Sequence, residues 1–225
     1  MTSESLLAVK TAQNTNANQR GYVMGSSMQT GLLLVLGTIV SAIGWFAFYP
    51  ADGTAGAMEQ AQAIMGAPTA KLGILLGYGG MIAVLIGVLN ITRSMVMAGR
   101  AGSFYANIAT VLGMALVAGL IMGLGLEYGT ASATSAAGGV TLMGVAIAGG
   151  AAAQLVLGIV MIMLGAGIAL DKNFHVGVAA IAVITGGILL IGSFVDVDGM
   201  AMIGWIGFLL TSLVLGALTI RAKSA

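Results

Sequence analysis

"AAAQLVLGIVMIMLGAGIAL", residues 151–170, holds one amide, Gln154, and no charge. Nothing in it would keep a surface wetted, and it is apolar all round rather than on one stripe, so it reads as a helix buried in lipid. Strands of a membrane barrel would alternate apolar and polar residues, and this stretch does not. The apolar run begins earlier, near 139. As one helix to 170 it would reach roughly 48 Å at about 1.5 Å per residue, long enough to require tilt or protrusion. Splitting it at Gly149-Gly150 leaves a first piece too short to cross, so it is read as one span.

Working outward, five further runs of similar character lie at about 30–50, 72–92, 104–126, 174–195 and 200–220. Hydrophobic residues make up 59% of the chain and charged residues 7%, with a mean hydropathy of +1.06. That is too little polar surface to clothe a water-soluble core. The expected fold is all-α: a polytopic bundle of six transmembrane helices at 29–220, between a polar tail at 1–28 and a short one at 221–225. No run in the first tail is apolar enough to be the core of a cleavable signal, so the first helix is expected to direct insertion.

The charges sort by side. In a six-span chain Lys10, Arg20, Arg93, Arg100, Lys172, Arg221 and Lys223 share one face, and Lys71 alone falls on the other. By the positive-inside rule both termini are cytoplasmic, in an inner or plasma membrane. Asp52, Glu59, Glu127, Asp196 and Asp198 gather on the opposite face. In the first loop, Met58, Ala61 and Met65 recur at helical spacing while Glu59, Gln60 and Gln62 point elsewhere, which predicts a short amphipathic helix at the outer interface.

Thirty-six glycines oppose helix propensity, but in lipid a missing side chain lets two backbones approach. Gly73 and Gly77, and Gly119 and Gly123, have the four-residue spacing of one helix face. Gly149 with Ala153 repeats it on the fourth span. These residues are the expected helix-packing contacts, some of them with a neighbouring subunit.

Chemistry is scarce. The chain has no cysteine and one histidine, so disulfides, thiolate metal sites and bis-histidine haem ligation are excluded. His175 follows Asn173, a candidate N-cap for the fifth span. The acidic residues fall at span ends or in loops. Glu127 comes closest to the membrane interior and is read as snorkelling to the interface. Asp196-x-Asp198-Gly199 resembles the start of a calcium loop but lacks the later oxygen ligands. Met200 and Met202 follow it, and thioethers favour Cu(I), so Asp196, Asp198, Met200 and Met202 form the one outer cation or copper candidate, behind a plain turn. No other metal site is expected, and no cofactor.

Gln154 sits near the middle of the fourth span, with Ser41, Thr185, Thr211 and Ser212 at similar depth on the first, fifth and sixth. An amide in hydrocarbon must find a partner, because leaving it unpaired costs several kcal/mol (~2–7). This polar layer is either interhelical hydrogen bonding or the lining of a path for a small solute. Asn90 and Asn107 are placed to clamp the second and third spans. The leading reading is a structural membrane protein, an accessory subunit of a membrane complex or a homo-oligomer, whose partners are the bilayer and other membrane subunits or itself, not nucleic acid. A passive channel or facilitator is the alternative. The acids, bases and ligands of an intramembrane enzyme are not found.

Overall fold

The computed structural model describes residues 27–195 and 199–221. Among them all regular structure is helical. Helix α1 (Ser27–Ile43) runs without a break into a π-helical turn, Gly44–Phe48; then come α2 (Ala57–Gly66), α3 (Ala70–Ala98), α4 (Ser103–Thr130), α5 (Ala136–Asp171), α6 (Val176–Phe194) and α7 (Met200–Arg221). Six helices, all but α2, are long and apolar enough to cross a membrane. This is the architecture of a multi-pass membrane protein. In lipid a helix satisfies its backbone internally, which is why apolar sequence of this length settles into uninterrupted helices. Helices α3, α4 and α5 extend past their apolar runs at both ends, α6 stops within its run, and the expected long span is one helix of 36 residues.

Each span packs on the next in sequence, and α7 returns to α1, closing the bundle into a ring. Its centre is filled by one apolar cluster that includes Leu34, Val84, Leu164, Leu189, Phe208 and Leu215. Large apolar side chains such as Leu36, Ile121, Ile184 and Leu210 face outward, where a bilayer would meet them.

The turns are built by their own residues. Gly99, at φ 63°, ends α3 in the left-handed conformation with its N–H on the Val96 carbonyl. Lys172, at φ 53°, does the same for α5 against Ile168. The Asp171 carboxylate accepts from the Gly102 N–H at 2.7 Å, tying the last turn of α5 to the first of α4. His175 caps α6, its Nδ1 accepting from the Gly177 N–H at 3.0 Å. The cap is therefore His175 and not Asn173: the imidazole, two residues closer to the helix, already fills the acceptor position. Asn90 and Asn107 do not clamp α3 to α4 either. Asn90 reaches Thr30 on α1 at 3.4 Å, Asn107 is exposed, and the hydroxyls of Thr110 and Thr92, 2.8 Å apart, join that pair.

The six spans are unequal in length, from 19 residues in α6 to 36 in α5. The excess of α5 lies at the end carrying Asp52, Glu59 and Glu127, here called the acidic end. There α2 packs on α5, completing a second apolar cluster of Ala61, Ile64, Ala70, Ile74, Met143 and Ala146. The amphipathic helix of the first loop thus exists, but its inner face is rotated from the one expected. Ile64 and Gln60 are buried, whereas Met58 is exposed. Gln60 can turn inward because its amide nitrogen donates to the Ala55 carbonyl at 2.6 Å. Along α5, Gly139, Met143 and Ala146 face α2, and further on Gly158 and Gly165 meet α6. Between the two, Ala148, Gly150, Ala151 and Ala152 are exposed.

Candidate functional site: a buried carboxylate among aromatic rings

Three short stretches build the site: "GWFAFYP" at 44–50, "GYGG" at 77–80 and "GLGLEYG" at 123–129. Gly44 lies against the backbone of Gly73 and Gly77, a contact with no room for a side chain on either helix. That close approach brings the π-helical turn onto α3. Gly77 then leaves the space in which the Trp45 indole lies: a Cβ added at Gly77 would come within 2.6 Å of the ring. From there Trp45 meets Tyr78 and Tyr49 edge to face, with ring centroids 5.2 and 4.7 Å apart. Gly123, one turn before Glu127 on α4, gives the same kind of room to the Tyr78 hydroxyl, 2.9 Å from where its Cβ would be.

The Tyr78 hydroxyl donates to Glu127 Oε1 at 2.8 Å. Glu127 is 8% exposed, so the snorkelling expectation is corrected. The carboxylate turns into the bundle because Tyr78 offers it a donor there, in space that two glycines leave open. Its other oxygen, Oε2, is buried with no hydrogen-bond partner among the described residues. Tyr49 lies beside the pair, and burial, then the neighbouring carboxylate, push its phenol up from the ordinary tyrosine value. Lys71, the basic residue of this end, stands 5.4 Å above the ring of Tyr128. Tyr128 is itself partly exposed, and adjacent residues on a helix point about 100° apart.

The residues expected to form a midplane layer occupy separate contacts. The Gln154 amide nitrogen donates to the Leu189 carbonyl of α6 at 3.2 Å. Ser41 bonds the Gly77 carbonyl of α3 at 3.0 Å. Thr185 and Thr211 face one another across α6 and α7 at 3.4 Å. Ser212 bonds back to Phe208 in its own helix. Of the glycines singled out for packing, Gly73 and Gly77 meet the end of α1 and Gly123 meets Tyr78, while Gly119 and Gly149 have nothing within 4 Å of an added Cβ. Ala153 is half-buried against the core.

Asp196 and Asp198 lie outside the described residues. Met202, which follows them, is exposed, and the Met65 sulfur packs on Gly139. Among the described residues no His, Asp and Glu gather as a metal-ligand set. An open groove of about 510 Å³ runs between α1 and α3, lined by Leu32, Leu36, Gly37, Val40 and Gly80, with Asn90 at its far end. Among family models, curated proteins and solved structures, none matches the chain.

Proposed function

We propose that this is a structural protein of the membrane, acting through contacts between helices as an accessory subunit of a complex or as a homo-oligomer. The observation that carries the reading is the segment 148–152 on the longest helix, where no side chain exceeds a methyl group, Ala148, Gly150, Ala151 and Ala152 are exposed, and among the described residues nothing lies within 4 Å of a Cβ added at Gly149 or Gly150. Lipid contact calls for bulky side chains, whereas a recess of glycine and alanine suits a second helix that can approach its backbone. The polar residues at depth support the same reading, since Gln154, Ser41 and Thr185 are each committed to a neighbouring helix of the chain. A path for a solute would want them turned toward one common lumen.

The test is copurification from native membranes in mild detergent, with light scattering of the purified particle. A stoichiometric second protein, or a defined multiple of the chain mass, is expected. Ala152→Leu should abolish that association and leave the melting temperature of the single chain unchanged. A monomer without partners, together with solute-selective flux in liposomes, would give the function to a channel instead.

A further inference from the structure

We infer that Glu127 anchors a binding site for one small monovalent cation, an alkali or ammonium ion, at the acidic end of the bundle. A carboxylate out of water costs far more than one hydrogen bond returns unless its charge is balanced. Glu127 has two uncharged donors beside it, Tyr78, bonded at 2.8 Å, and Tyr49, and its Oε2 is buried without a partner of good geometry. The chain supplies no counter-charge among its described residues: Lys71 is engaged over Tyr128, and the titratable groups facing Glu127 are the phenols of Tyr78 on α3 and Tyr49 after α1. An ionisable group held inside a membrane bundle without a counter-charge from its own chain marks a place where a mobile charge binds.

The donor set selects the class of ion. One carboxylate and two phenols carry a single negative charge, too little for calcium, and no nitrogen or sulfur ligand stands among them for a transition metal. A monovalent ion balances the charge one for one. The rings of Trp45, Tyr49 and Tyr78, packed edge to face on one another, hold the two phenols beside the carboxylate. Such an ion would hold together three elements, the π-helical turn after α1, α3 and α4, so its binding is read out as stability.

The experiment compares thermal melts of the purified chain in mild detergent at fixed pH and ionic strength. N-methylglucamine, a bulky organic cation, is replaced stepwise by sodium, potassium or ammonium. The wild type should gain melting temperature saturably with at least one of the three. Glu127→Gln, which keeps an acceptor for Tyr78 but no charge, should lose that dependence. Tyr78→Phe, which takes one oxygen ligand from the ion, should raise the half-saturating concentration about tenfold. Identical wild-type melts in all four cations would overturn the site, and so would an unchanged dependence in Glu127→Gln. If that variant does not survive extraction, equilibrium dialysis of the stabilising cation against the wild type decides: one ion per chain supports the site, none overturns it.

Discussion

The hydroxyl of Tyr78 and the amide of Gln154 make single hydrogen bonds of similar length, yet the two should differ in worth. Tyr78 donates to a buried carboxylate, and Tyr78→Phe strips Glu127 of its 2.8 Å bond, so a loss of about 1.5–3 kcal/mol is expected. Gln154 donates to a carbonyl that also accepts from the Ser193 hydroxyl at 2.8 Å. Gln154→Leu therefore leaves the Leu189 oxygen satisfied and should cost about 0.6 kcal/mol, the usual size of such a bond between membrane helices. Reversible unfolding of both variants in the same detergent checks the order; a larger loss for Gln154→Leu would contradict it. Asp52, exposed in the loop before α2, accepts from the N–H of Thr54 at 2.9 Å and its hydroxyl at 2.8 Å, and these bonds hold its carboxyl below the ordinary aspartate value. A lowered value in the folded chain means that the turn is intact above the usual aspartate range and loosens as pH falls through the Asp52 midpoint. Thr54→Ala should move that midpoint upward in a carboxyl-resolved NMR titration.

Between helices, the informative residues are adjacent glycines with opposite surroundings. A Cβ on Gly80 would collide with the backbone of Ser41 on α1, whereas one on Gly79 would meet nothing within 4 Å. Gly80→Ala must push α1 and α3 apart and should cost about 1–3 kcal/mol. Gly79→Ala relieves only the backbone entropy of glycine and should stabilise by up to about 1 kcal/mol. Melting the two single variants side by side tests the crossing, and equal effects would mean that α1 and α3 do not touch there. The sequence contained only part of this contrast. Four-residue spacing marks one face of a helix, as it did for Gly73 and Gly77, but cannot say what stands opposite, which is why a Cβ on Gly119 or Gly149, spaced alike, would meet nothing within 4 Å among the described residues. The same limit applies to the site. Glu127 was visible as the acidic residue set deepest in a span, but its burial depends on Tyr78, on the π-helical turn that aims Trp45, and on two glycines from two helices, none of which a helical repeat encodes.

At the scale of the molecule, the number of spans was legible because apolar length alone decides it, and the orientation in the membrane rests on a separate signal, the sorting of basic residues. The structure puts that signal where it can be tested without the tails. Ala101 and Ser132 are both exposed, and they flank α4, so one lies at the end bearing Arg93, Arg100 and Lys172 and the other at the end bearing Glu127 and Asp52. Positive residues are retained on the cytoplasmic side when short loops are threaded, and the α3–α4 loop is short and basic while the α4–α5 loop has no charge. The chain has no cysteine, so Ala101→Cys and Ser132→Cys each introduce a single reactive thiol without a background. In intact cells an impermeant maleimide should label Ser132→Cys, and should label Ala101→Cys only after permeabilisation. Labelling of both without permeabilisation would mean that α4 does not cross. The reverse pattern would leave the bundle intact but invert it, and would place Glu127 and its aromatic rings at the cytoplasmic face.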